Sequence, residues 1–175
     1  MEFEEKTLRE EYVYKGKILN LKKDLVELPD KSESYREIVD HGGGAAVLCV
    51  SDGEILLVKQ FRYAYKEELI EIPAGKIDAG ETPVDAAKRE LIEETGISAE
   101  KFTLIAEMYP SPGYTNEKIY IYRAEGLKKA SARLDNDEFL RAFTLPVNEV
   151  KEMAAAGKIK DAKTLIALSH LNDVK

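Results

Sequence analysis

The stretch that decides the fold runs from Gly75 to Ile97 and reads GKIDAGETPVDAAKRELIEETGI. A glycine-containing loop, Ala74 to Glu81, leads into a helix. Thr82 is a fitting N-cap, Pro83 sits at the first helical position, and Asp85 completes a capping-box-like pattern. Gly96 supplies the left-handed stop. On a wheel of 100° per residue with Glu90 at zero, Glu94 falls at about 40° and Glu93 at about 300°. Val84, Ala87 and Leu91 fall between roughly 60° and 120° and form a buried stripe. The carboxylates thus border the core-facing side.

That arrangement is locally unfavourable. Like charges at i,i+4 repel by a few tenths of a kcal/mol, and carboxylates in a last turn oppose the helix dipole by about 0.3–1 kcal/mol each. A solvated acidic face, partly neutralised by Arg89 pairing with Glu93, is the plainer reading. The apolar stripe beside the acids and the loop before them favour another. A hard divalent cation, which takes oxygen ligands, would turn the repulsion into coordination.

Outward from this segment, Ala45–Val50 and Ile55–Val58 read as strands joined at Ser51-Asp52-Gly53, a hairpin signal. Leu69–Ile72 is a short strand ended by Pro73. Thr103–Met108 and Ile119–Tyr122 are two further strands, separated by the loop Tyr109–Tyr114. Residues 127–138 read as polar loop, and Phe139–Leu145 as a last strand. Val147–Ala156, stopped by Gly157, and Ala162–Leu171, capped by Asp161, read as helices. Residues 11–40 are short extended pieces with a turn at Pro29-Asp30, and Gly42–Gly44 mark a break. With few large apolar residues, the N-terminal pieces form a weak sheet that needs a partner surface, on the main domain or on another subunit. The mixture of strands and helices without regular βαβ alternation predicts an α+β fold or a mixed-sheet sandwich.

The 175 residues fit one compact domain, with or without a small appendage. Twenty-six basic against 33 acidic residues give a net charge of −7. That excludes a general footprint for nucleic acid and a wide positive surface for anionic membranes. The single cysteine, Cys49, excludes a disulfide framework and a Cys-rich zinc site, and reads as a core thiol. The N-terminus is acidic and polar, and no window approaches a membrane span, so a cytoplasmic protein is expected.

The positions Gly75, Glu81, Arg89, Glu90, Leu91, Glu93, Glu94, Gly96 and Ile97 have the spacing of a Nudix box, which this stretch resembles at every defined position. The resemblance implies a Nudix hydrolase: an α/β/α sandwich around a mixed β-sheet, cleaving a nucleoside diphosphate linked to another moiety. On that likeness Glu90 and Glu94 are metal ligands, and Glu93 is a further ligand or the base. The Ala74 carbonyl completes the coordination, Arg89 orients the glutamates, and Glu81 and Gly75 hold the loop. The implied metal is Mg2+, with Mn2+ able to substitute.

Outside the box the chain is similar to the ADP-ribose pyrophosphatase branch over nearly its whole length. Pro112 lies 16 residues after Gly96, as that branch's proline marker does. SPGYTNEKIY, YREIVDHGG, KQFRYAY and GKIKDAKTLIAL are similar to the corresponding segments. The likeness implies an N-terminal antiparallel β-segment, 1–42, exchanged across a homodimer, and a Nudix hydrolase domain, 43–175. It places Arg36 and Glu37 near the nucleotide base, Arg62 near the phosphates, and Ser111, Pro112, Gly113 and Glu117 along the site. Relatives often carry two acids two residues apart before the final strand. Here Asn136 stands at one of these positions and Glu138 at the other. Glu138 is the loop candidate for base or extra metal ligand, with Asp137 next.

The expected reaction is hydrolysis of ADP-ribose, a small-molecule nucleotide sugar, to AMP and ribose 5-phosphate. The alternatives are another nucleotide sugar, UDP-glucose or GDP-mannose, and a sensor that binds ADP-ribose without turnover. Pro112 and the N-terminal strands argue against a nucleoside triphosphate. The intact set of Glu90, Glu93 and Glu94 argues for catalysis.

Overall fold

The computed structural model describes residues 2–131 and 139–171. The loop acids Asp137 and Glu138 lie outside the described residues. The chain divides into two compact units.

The first unit comprises residues 2–43 and Tyr109–Lys118. It holds β1 (Lys6–Arg9), β2 (Tyr12–Lys15), β3 (Leu19–Glu27) and β4 (Glu33–His41), all antiparallel. β4 pairs with the full length of β3, while β1 and β2 share its other edge. The Asp30 side chain closes the turn before β4 by accepting from the Ser32 N–H at 3.0 Å. Val26 is the one apolar side chain fully buried in this sheet among the described residues, whereas Leu8, Tyr12, Val13, Tyr14 and Ile18 stay exposed. Residues 109–118 are stitched to the end of β4. The Val39 N–H donates to the Tyr114 carbonyl at 2.7 Å, and Asn116 Nδ2 donates to Asp40 Oδ1 at 2.6 Å.

The second unit contains β5 (Gly44–Ser51), β6 (Glu54–Arg62), β7 (Glu67–Glu71), β8 (Ala74–Lys76), α1 (Pro83–Thr95), β9 (Ile97–Met108), β10 (Ile119–Lys129), β11 (Leu140–Pro146), α2 (Val147–Ala155) and α3 (Ala162–Ser169). Its sheet runs β11-β6-β5-β10-β9, with β7 on β6 and β8 on β5. β10 is parallel to β5 and every other pair is antiparallel, so the sheet is mixed. β5 is buried on both faces, and its alternation sorts the core. Ala45, Val47 and Cys49 pack with Ala86, Ala87 and Leu91 of α1. Ala46 and Leu48 pack with Val150 of α2 and Ala167 of α3. This is the expected α/β/α sandwich, and each fully buried Leu or Ile contributes about 1.5–3 kcal/mol to it.

Local signals explain the elements that orient the site. The Thr82 hydroxyl accepts from the Asp85 N–H, and Gly96 takes φ 66° while its N–H closes on the Ile92 carbonyl. Asp52 and Gly53 both have positive φ, as a two-residue hairpin loop requires.

Three expectations need correction. Ala74–Lys76 is not loop but β8, a three-residue strand paired to Gly44–Ala46 of β5. β9 begins at Ile97 rather than Thr103, and β10 continues to Lys129, through residues read as loop. The polar ends of these strands lie at the sheet's edge, where Lys101 pairs with Glu125 at 2.6 Å and Lys128 with Glu100 at 2.7 Å. β1 also forms, within a segment whose polarity hid it.

Candidate active site

In α1 the fully buried residues are Ala86, Ala87, Glu90, Leu91 and Glu94. On the wheel they span about 320° to 100°. Glu90 and Glu94 therefore sit inside the buried arc rather than on its border. They are 7% and 5% exposed. What makes room for them is the main chain of β8. A Cβ at Gly75 would overlap the Glu90 carboxylate, so only glycine lets that acid lie against the strand. The Ala74 N–H donates to Glu94 Oε2 at 2.9 Å, and the Pro73 carbonyl accepts from the Val47 N–H at 2.9 Å. The helix acids and residues 73–75 are thus fixed to one another.

Arg89 ties the rest together. Its Nε and Nη2 grip both oxygens of Glu81 at 3.0 and 2.9 Å, and Nη2 also donates to the Lys76 carbonyl at 2.9 Å. Its Nη1 donates to Glu90 Oε1 at 2.6 Å and Glu93 Oε2 at 2.9 Å. Glu81 in turn accepts from the Asp78 N–H at 3.1 Å. The Arg89 hydrogen bonds hold the Glu81 carboxyl below the usual carboxylate range, and Glu81 foremost raises the arginine's own pKa. One planar fork thereby sets the loop, Glu90 and Glu93.

Arg62, at the end of β6, makes a second fork on Glu71 of β7 at 2.7 and 2.6 Å. Lys163 of α3 donates to the same carboxylate. Burial pushes the Glu71 pKa up, but the Arg62 hydrogen bonds and the Lys163 charge outweigh it, and the carboxyl stays below its ordinary value. Glu94's charge also acts on Arg62. Thr164 Oγ1 accepts from the Ile72 N–H at 2.9 Å, so α3 braces the chain leading into β8. Sequence reasoning missed Glu71 and Lys163. One signal was available: a lysine in the first turn of α3, where the helix dipole disfavours a cation.

The remaining candidates lie in the first unit. Arg36, Glu37, Pro112 and Gly113 line a cleft of about 550 Å³, together with Glu5 and Tyr114. Arg36 Nε donates to Glu5 Oε2 at 2.8 Å, a partner sequence reasoning did not foresee. The Ser111 carbonyl accepts from the Tyr114 and Thr115 N–H groups, and Glu117 Oε1 lies 3.5 Å from His41 Nδ1.

Among the described residues no three acidic, imidazole or thiol groups form a ready-made cation cage. Arg89 and the Ala74 N–H occupy the carboxylate oxygens instead. The donor chemistry nonetheless fits a hard cation. Two nearly buried carboxylates one turn apart lie against the main chain of residues 74–75, with a cradle that a Cβ would fill.

A mixed sheet between helices, with buried glutamates on a helix that follows a glycine-containing loop, defines a hydrolase class that the comparisons name. Residues 40–168 match the NUDIX domain, and residues 5–39 match the nucleoside diphosphate sugar hydrolase N-terminal domain. The chain belongs to the Nudix hydrolases, which generally need a divalent metal ion. It is 42% identical over 171 residues to the ADP-ribose pyrophosphatase of Bacillus subtilis (strain 168), covering 96% of this chain and 92% of that one. It is 40% identical over 172 residues to the methanol dehydrogenase activator of Bacillus methanolicus, covering 97% and 93%. Relatives at 36% identity over 148 residues, covering 78% of this chain and 77% of theirs, include the GDP-mannose pyrophosphatase of Salmonella arizonae. The crystal structure of an ADP compounds hydrolase superposes with a TM-score of 0.85 at 20% identity, covering 97% of this chain and 93% of that one, and shares the fold. No helix among the described residues is long and apolar enough to cross a membrane.

Proposed function

We propose that the protein hydrolyses the diphosphate bond of ADP-ribose with water, giving AMP and ribose 5-phosphate. The observation that carries this reading is the pair of buried carboxylates, Glu90 and Glu94, held against β8 with Arg89 fixing Glu90, Glu93 and Glu81. The full-length similarity to an ADP-ribose pyrophosphatase supports the substrate. Glu90, Glu94 and the Ala74 carbonyl would hold Mg2+, with Mn2+ able to replace it. The ion neutralises diphosphate charge and lowers the pKa of water.

Arg89 keeps Glu90 and Glu93 in fixed rotamers, so no reorganisation is needed when substrate arrives. Glu93 is the more solvent-accessible acid of the three and receives the proton from the attacking water. Glu138, or Asp137 beside it, is the alternative base. Arg62 binds phosphate oxygens. Arg36, Glu37, Ser111, Pro112, Gly113 and Glu117 recognise the nucleoside. The exposed Tyr12, Val13, Tyr14 and Ile18 suit exchange of segment 1–42 in a homodimer, and we place the protein in the cytoplasm. The GDP-mannose pyrophosphatase relatives favour one second reading, turnover of GDP-mannose.

The test is a product assay with purified protein and Mg2+. ADP-ribose, UDP-glucose, GDP-mannose and a nucleoside triphosphate are offered in parallel, each with an EDTA control. EDTA-sensitive release of AMP from ADP-ribose in preference to the others is expected. Preference for another sugar nucleotide overturns the substrate, and binding of ADP-ribose without turnover of any compound overturns the enzyme reading.

A further inference from the structure

Glu71 and Lys163 are 1% and 7% exposed, lie 92 residues apart in sequence, and sit outside the loop–helix stretch. Burying a lysine is costly, and placing it in a helix's first turn adds to the cost. The local contacts show what it answers. Arg62 occupies both oxygens of Glu71 through Nε and Nη2, and Lys163 Nζ donates to Oε2 as well. Lys163 also donates to Asp161 Oδ1 at 2.9 Å. The other Asp161 oxygen accepts from the Thr164 N–H at 2.9 Å, so that charge rests on the start of α3. The Arg62 side chain is 41% exposed, and its Nη1 has no partner among the described residues.

Arg62, Lys163, Glu71 and Asp161 together are neutral; without Lys163 the same group would carry −1 toward an incoming diphosphate, and its most exposed member is the Arg62 guanidinium. We infer that Lys163 is a positioning residue for diphosphate binding: by sharing Glu71 with Arg62, it locks the guanidinium in place and leaves Nη1 for a phosphate oxygen. The inference rests on the reading of the protein as a diphosphate hydrolase, and it adds a residue of α3 to the determinants of substrate affinity.

A double-mutant cycle tests it, using Lys163→Met, Arg62→Ala and the combination. Lys163→Met is expected to raise the KM for ADP-ribose about tenfold while kcat stays within about threefold. In the Arg62→Ala background the same change should move KM less than about twofold, because Lys163 acts through Arg62. Lys163→Arg, which keeps the charge, should restore most of the affinity. Calorimetric binding of inorganic pyrophosphate should weaken about tenfold in Lys163→Met, following the same pattern. If Lys163→Met does not fold, Lys163→Gln, which can still donate a hydrogen bond, should show the same loss of affinity. A KM effect undiminished in the Arg62→Ala background, or a fall in kcat with KM unchanged, overturns the inference. Absence of ADP-ribose turnover in the wild type would instead overturn the proposed reaction, and pyrophosphate binding would still decide the role of Lys163.

Discussion

Gly75→Ala isolates the contact on which the centre depends. The backbone at Gly75 is not in the left-handed region, so alanine is compatible with the local conformation. Taken alone, that exchange would stabilise by about 0.4–1 kcal/mol through the unfolded chain. The obstacle is Glu90, whose carboxylate fills the place of the new methyl. Glu90 has little space to retreat, being buried and bonded at 2.6 Å to Arg89, itself clamped on Glu81. Moving it sacrifices a hydrogen bond between charged groups, about 1.5–3 kcal/mol, and strains the packing by about 1–3 kcal/mol. After the small gain, a net loss of about 1.5–5.6 kcal/mol is expected, a fall in Tm of about 3–22 °C for a domain of this size. The assay is thermal unfolding of four proteins: wild type, Gly75→Ala, Glu90→Ala and the double variant. In the Glu90→Ala background the methyl has room, so adding Gly75→Ala should be neutral or slightly stabilising. A Gly75→Ala protein as stable and as active as wild type would refute the reasoning, and so would an equal penalty in both backgrounds.

Two further outcomes follow from the same geometry. Glu94→Gln keeps an oxygen to accept from the Ala74 N–H while removing a buried charge, so the metal-free protein should melt at or slightly above the wild-type temperature. Its Mg2+-dependent turnover should fall at least about a hundredfold, and near-normal turnover would remove Glu94 from the metal site. The Glu71 carboxyl lies below its ordinary value of 4.5 in the folded protein, so the stability it contributes is present above about pH 4.5 and is lost as pH falls through the folded value. Glu71→Gln should cost about 3 kcal/mol at pH 7 and show a shallower loss of Tm between pH 5 and pH 3, and parallel curves would contradict this.

The parts of the fold readable from sequence are those with local causes. The Thr82 cap, the Gly96 stop and the Asp52-Gly53 hairpin each fix backbone geometry within a few residues, and all three were visible. β8 was not visible, because three residues around a glycine become a strand only through pairing with β5. The polar ends of β9 and β10 carry no apolar alternation, and they pair through cross-strand charges instead. The wheel located Glu90 and Glu94 but not the depth of their burial, since that depends on the missing side chain at Gly75. The Arg62–Glu71–Lys163 group joins β6, β7 and α3, and nothing in the spacing of those residues announces it.

Cys49 lies on the face of β5 that packs against α1, and burial pushes its thiol pKa up to about 12. At pH 8 the thiolate fraction is then on the order of one in ten thousand, and the sulfur is closed to solvent. The sequence has no other cysteine. The native chain is therefore already a blank background for thiol chemistry. A cysteine introduced at an exposed position such as Tyr63 or Ser131 can carry a spin label or fluorophore as the single reactive handle, without first removing a core residue.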